Sequence, residues 1–113
     1  DFGFQLKSAI ESSEEINEIF SSSELDQKAR RLSVVQPRLT STLLRQAPAT
    51  VVVIFIVDEN GRVQDPKVQR TTNPSFDRSA LAAIRQWKFE PAKVQGRSVS
   101  SRLRQSFSFE NNT

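Results

Sequence analysis

The most regular pattern in the chain is the apolar run between Thr50 and Asp58. Val51, Val53, Phe55 and Val57 occupy one parity, and Val52, Ile54 and Ile56 the other. β-Branched and aromatic residues in such a run predict a strand. Asp58-Glu59-Asn60-Gly61 follows as a turn, with Asn60-Gly61 suited to the positive φ of a hairpin. A second strand is predicted from about Arg62 to Arg70. Pro66 cannot donate to a ladder, so this strand is either an edge or bulged at that point.

Helical periodicity comes next. Asn73-Pro74 is a helix-start signal, Asn as cap and Pro at the first helical position. Phe76, Ala80, Leu81, Ile84 and Trp87 then fall on one face, with Asp77, Arg78, Arg85 and Gln86 outside. The spacing carries the helix to Phe89, where Pro91 stops it. Gly96 allows a turn, and a final strand is predicted from about Val99 to Phe109. Its odd positions Val99, Leu103, Phe107 and Phe109 are apolar, while Arg102, Arg104, Ser106 and Ser108 face away. Upstream, Leu32 to Pro37 reads as extended, because Pro37 biases Gln36 away from helix. Leu39, Leu43 and Leu44 fit a short helix ending before Pro48.

Residues 1–29 have a different character. Between Lys7 and Phe20, the residues Ile10, Ile16, Ile19 and Phe20 can share one face of a short helix, led by Leu6. Glu11, Glu14, Glu15 and Glu18 then lie toward water. A partly disordered leader is the competing reading, and Ser21-Ser22-Ser23 marks a joint in either case. The whole predicts an α+β fold: a three-stranded antiparallel sheet with a main helix packed on one face, plus an N-terminal helical leader. The domain is taken as residues 30–113, and the leader as 1–29.

Composition narrows the chemistry. With 113 residues, 36% hydrophobic content and eight Phe, the chain can fill one small core and leaves little room for an internal cofactor cavity. The run Val51 to Val57 is far short of the roughly 20 apolar residues a membrane span needs. His and Cys are both absent, which removes imidazole and thiolate metal sites and Cys or Ser–His nucleophiles. Carboxylate chemistry stays formally open. Asp58, Glu59 and Asp65 cluster at the hairpin, but turns favour Asp for backbone reasons. The single Gly61 and Gly96 make no phosphate loop. No catalytic, cofactor-binding or metal-ligating residue is assigned, and an enzyme is not expected. The chain begins at Asp1 without Met or a signal-like stretch, and so reads as cut from a longer protein.

The net charge of +3 is mild, yet Arg97, Arg102 and Arg104 concentrate near the last strand. Basic residues interleaved with aromatics can bind single-stranded nucleic acid. Phe107 and Phe109 share the core-facing parity of Leu103, which removes the stacking platform and makes a nucleic-acid module the second reading. Trp87 and Phe89 can be recognition aromatics, but on an apolar face they are first core residues.

Four pieces together resemble the TonB C-terminal domain family, from the energy transducers of Gram-negative envelopes. They are Leu32-Ser33 with Gln36-Pro37; Val51 to Val57 with Asn60-Gly61-Arg62-Val63; Phe76-Asp77 through Ala80-Leu81 to Ala83, then Trp87-Lys88-Phe89-Glu90-Pro91-Ala92 and Gly96; and Phe107-Ser108-Phe109. Leu39-Thr40 stands where the family usually has Tyr-Pro, and Pro48-Ala49-Thr50 where it has a glycine. The resemblance implies a periplasmic domain of a protein anchored in the inner membrane by a segment upstream. It also implies strand addition of the TonB box of an outer-membrane transporter to the closing strand, with energy supplied through ExbB and ExbD. The residues so implied are Ser101, Arg102, Leu103, Arg104, Gln105, Ser106, Phe107 and Ser108. A TonB-like interaction domain of another envelope protein is a further alternative.

Val52, Ile54 and Ile56 raise a separate question, because the family commonly has a more polar face there. Leaving large apolar side chains in water costs roughly 1.5–3 kcal/mol each relative to burial. Ile10, Ile16, Ile19 and Phe20 of the leader, or a second copy of the domain, are expected to cover that face.

Overall fold

The computed structural model describes residues 2–8 and 25–111. In chain order the elements are β1 (Phe2–Ser8), β2 (Arg30–Ser33), α1 (Ser41–Leu44), β3 (Ala49–Val57) and β4 (Val63–Thr71). A 3₁₀ turn (Pro74–Phe76) leads into α2 (Asp77–Ile84), followed by β5 (Lys88–Glu90), β6 (Ala92–Val94), β7 (Arg97–Val99) and β8 (Ser101–Asn111). The main sheet is antiparallel with order β1-β8-β3-β4, and β2-β5 and β6-β7 form two small ribbons. This is the expected α+β arrangement. The three predicted strands are β3, β4 and β8, and the leader contributes a fourth.

β3 has the burial its sequence implies. Val51, Val53, Phe55 and Val57 are buried and Val52, Ile54 and Ile56 half-buried. The buried row clusters with Phe76, Ala80 and Ile84 of the helical segment, together with Trp87, Phe89, Leu103, Phe107 and Phe109. Aromatic rings dominate the centre: Phe76 lies 4.9 Å from Phe109, Trp87 5.7 Å from Phe107, and Phe55 5.7 Å from Phe89, centroid to centroid. Such tilted and edge-on pairs add to the stabilisation from burial itself.

Three local expectations are corrected. First, α2 ends at Ile84 rather than Phe89. The chain tightens through Gln86 N–H to Ala83 O (3.0 Å) and Trp87 N–H to Ile84 O (3.1 Å), and Lys88–Glu90 then runs as a strand against β2. Tertiary bonds draw it away from helix. Trp87 Nε1 donates to Val35 O at 2.9 Å, and Phe89 N–H to Gly61 O at 2.9 Å. Second, the closing strand is split at Ser100, because β6 and β7 form their own hairpin around Gln95-Gly96, both at positive φ. Third, Phe2–Ser8 is a strand, so Lys7 does not begin a helix. The rest of the predicted leader helix, with Ile10, Ile16, Ile19 and Phe20, lies outside the described residues.

In the turn that joins β3 to β4, Gly61 alone takes positive φ, at 81°. Asp58 N–H donates to Arg62 O and Gly61 N–H to Asp58 O, both at 2.9 Å, the geometry of a turn closed by a glycine bulge. A Cβ at Gly61 would stand 2.0 Å from Phe89 O. Glycine is thus required twice, by φ and by the approach of β5.

Candidate functional site: the outer side of the closing strand

β8 is the longest strand, at 11 residues, and contains neither Pro nor Gly. On one side it pairs with β3 in an unbroken register over all nine residues of that strand, from Ala49↔Phe109 to Val57↔Ser101. A ladder this regular aims alternate backbone N–H and C=O groups outward in a straight row. That outer row is the natural place for a further strand.

The eight residues expected to bind a partner all lie on β8. Ser101, Leu103, Gln105 and Phe107 form the row facing the helix and are buried. Arg102, Arg104 and Ser106 form the opposite row and are half-buried, and Ser108 on that row is buried. Their outer side is divided. Gln105, Ser106, Phe107 and Ser108 are paired with β1, whose ladder runs from Phe2↔Asn111 to Ser8↔Gln105. Among the described residues, no strand runs along that side of Ser101–Leu103.

Gln105 is a feature that the alternation of apolar residues hides. It sits in the core-facing row at 1% exposure, with Oε1 accepting from Arg31 Nη1 at 3.4 Å and Nε2 donating to Ser106 O at 3.0 Å. The lead-in strand β2 therefore touches β8 through a polar pair above its centre. β2 is itself fixed by Arg30, whose Nε donates to Glu90 Oε1 at 3.0 Å and whose Nη2 contacts the same oxygen. The Arg30 hydrogen bonds and charge hold the Glu90 carboxyl below its usual value.

On the sheet face away from the helix, Ile54 pairs across to Arg104 on β8 and Lys67 on β4, and Val52 to Ser106 and Arg70. Ile56 lies between Arg102 and Gln64. Long side chains lay their aliphatic stems over apolar neighbours while the charge stays in water, which accounts for the half-burial of Val52, Ile54 and Ile56. A shallow depression of about 260 Å³ remains between Ile54, Ile56, Asp65, Lys67 and Arg102. The expected cover from Ile10, Ile16, Ile19 and Phe20 lies outside the described residues. Arg97 stands apart on β7, exposed. Phe107 and Phe109 are fully buried, so the aromatics beside the arginines offer no ring face to a base.

Comparison with known proteins adds a family to this geometry. Two proteins named Protein TonB, from Xanthomonas campestris pv. campestris strains B100 and ATCC 33913, are each 37% identical to this chain over 60 residues. That is 52% of the chain and 27% of either relative, so the chain spans about a quarter of their length. The solution NMR structure of the Pseudomonas aeruginosa TonB CTD shares the fold, with a TM-score of 0.64 at 24% identity over 75% of this chain and 88% of that one. A family model described as Gram-negative bacterial TonB protein C-terminal matches residues 43–110. Three of the four resembling pieces fall inside this span, and Leu32-Ser33 with Gln36-Pro37 precedes it. The match covers more than half of the sequence, and the chain belongs to the Gram-negative bacterial TonB protein C-terminal family.

Proposed function

We propose that this domain is the periplasmic, peptide-gripping end of a TonB-type energy transducer. It engages the TonB box of outer-membrane transporters by strand addition along β8. The observation that carries this reading is the ladder of β8: eleven residues without Pro or Gly, in continuous register with β3. Such a strand offers an incoming segment many backbone hydrogen bonds in a row. Bonds in one row share a load applied along the strand, which suits a domain that transmits pull. Arg102 and Arg104 lie on the face away from the helix, beside this row, and supply charge complementarity to an acidic segment. Tethering to the inner membrane through a segment upstream, and energisation through ExbB and ExbD, complete the role by family likeness. The family is one of transducers and interaction proteins, and no chemistry at β8 is required.

Titrating the chain with TonB-box peptides, with a single-stranded oligonucleotide as control, tests this by NMR. Shifts concentrated on amides of Ser101–Ser108 with peptide alone are expected. Binding of the oligonucleotide at Arg97, Arg102 and Arg104, with no peptide response, would reverse the assignment in favour of a nucleic-acid module.

A further inference from the structure

The partner edge of this protein is already occupied by a strand of its own. β1 pairs antiparallel with β8 over seven residues, Phe2↔Asn111 through Ser8↔Gln105. Its sequence alternates apolar Phe2, Phe4 and Leu6 with Gly3, Gln5 and Lys7. That alternation falls in step with β8: Phe4 shares a rung with Phe109 and Leu6 with Phe107. Pairs on one rung lie on the same face of a sheet, so the apolar positions of β1 extend the row that begins in the core. A strand with this pattern on this register fits the edge of β8 as an incoming partner would.

We infer that β1 is an internal competitor for the partner edge of β8, and that an incoming segment binds by displacing it. This rests on the strand-addition reading above. β1 covers Gln105–Ser108 of the proposed site, but its ladder ends before Ser101–Leu103. An incoming strand therefore gains its first rungs at Ser101–Leu103 and advances by taking those of Gln105–Asn111 one at a time. The strand that replaces β1 must be extended and free of proline at the rungs whose N–H faces β8. It must also carry apolar residues at alternate positions, in step with Phe107 and Phe109. A strand carried on the same chain competes intramolecularly, so a free peptide must overcome its effective concentration. The affinity measured for any free peptide is then reduced by the fraction of molecules whose edge is open.

The test uses the full chain. Neighbouring amides of a strand point to opposite sides, so the double variant Gln5→Pro/Leu6→Pro removes at least one donor aimed at β8 whichever side each faces. Gln5→Thr/Leu6→Val keeps both donors and β propensity and serves as the control. The probe is a synthetic peptide of residues 1–8 of this chain, added in trans. In the proline variant, hydrogen exchange at Gln105–Asn111 amides directed away from β3 should quicken at least about tenfold, while amides paired to β3 stay protected. The same peptide should bind that variant at least about tenfold more tightly than the parent or the control, shifting Gln105–Asn111 amides. A TonB-box peptide should show the same preference. Unchanged exchange would mean that β1 does not hold the edge, and equal peptide affinity for the two chains would mean that it does not compete; either result overturns the inference. A residues 1–8 peptide that behaves as expected, beside a TonB-box peptide that binds neither chain, would instead overturn the functional reading while the intramolecular pairing stands.

Discussion

β4 and β8 flank the same strand, β3, yet they present opposite kinds of outer side. β4 is broken. Its register with β3 shifts twice, between Val52/Val53 and between Ile54/Ile56, Asp65 takes φ +50°, and Pro66 has no N–H to offer. β8 has none of these interruptions against β3 and carries no Pro or Gly. Proteins guard sheet edges with bulges, proline and charge, or else with a covering segment. β4 uses the first device and β8 the second, through β1. On the strand-exchange proposal the distinction is functional as well as protective, because a bulged edge resists pairing, whereas a covered one can open to a strand that displaces the cover.

The largest way to break the contrast is to remove its buried anchor. Phe107 is fully buried beside Trp87 and Phe109, and Phe107→Ala is expected to cost about 3–5 kcal/mol. Val68, on the rung of Val53 in β4, is only half-buried, and Val68→Ala should cost about 1 kcal/mol. Denaturant unfolding of the two variants measures the difference directly. Equal losses would mean that β4 is as firmly built into the core as β8.

Gly61→Ala attacks the end of the β3–β4 hairpin. The new Cβ must adopt positive φ and meets Phe89 O at 2.0 Å, so β5 has to move away. A loss of about 2–4 kcal/mol is expected, with weakened protection of the Phe89 amide. Pro66→Val acts on the same strand by supplying an N–H. Stability should change by no more than about 0.5 kcal/mol, but self-association measured by sedimentation should rise, since the outer side of β4 gains a donor. A chain that stays monomeric at high concentration would assign the protection of that side to the bulge at Asp65 alone.

How much of this was legible in the sequence depended on whether local pattern and tertiary contact agreed. At β3 they agree, because the β-branched run and the Asn60-Gly61 turn dictate the strand and its hairpin without outside help. At Trp87-Lys88-Phe89 they conflict. Trp87 continues the helical stripe of Phe76, Ala80 and Ile84, but Trp87 and Phe89 also alternate as a strand does. Two long-range bonds, to Val35 O and Gly61 O, decide for the strand. β1 was missed for a related reason. Phe2, Phe4 and Leu6 alternate plainly, but a short run at the start of a chain gains its structure only from an edge supplied more than a hundred residues away. β8 was legible as a strand because its apolar parity is long; the polar Gln105 within its buried row was not, since only Arg31 and the Ser106 carbonyl make that position acceptable.

The smallest expected effect is a titration that reaches one side of the sheet through its turn. Partial burial pushes the Asp58 carboxyl up. Hydrogen bonds from the Arg62 amide, the Gln64 side chain and the Asn60 amide, with the charge of Arg62, outweigh that and hold it below its ordinary value of 3.8. A carboxyl whose folded value is depressed contributes stability that is present above the unfolded value and lost as pH falls through the folded one. Below pH 3.8 the hairpin that ends in β4 should therefore loosen, with Asn60 and Arg62 amide shifts tracking the Asp58 titration in NMR. Gln64→Ala removes one of the lowering bonds and should move that midpoint upward, toward 3.8. Since Asp58 lies in the β3–β4 turn and bonds to groups of that hairpin, the Gln105–Asn111 amides should not follow the same curve. If they did, the two sides of the sheet would be coupled through β3, and the separation drawn between a self-closed strand and a covered one would have to be given up.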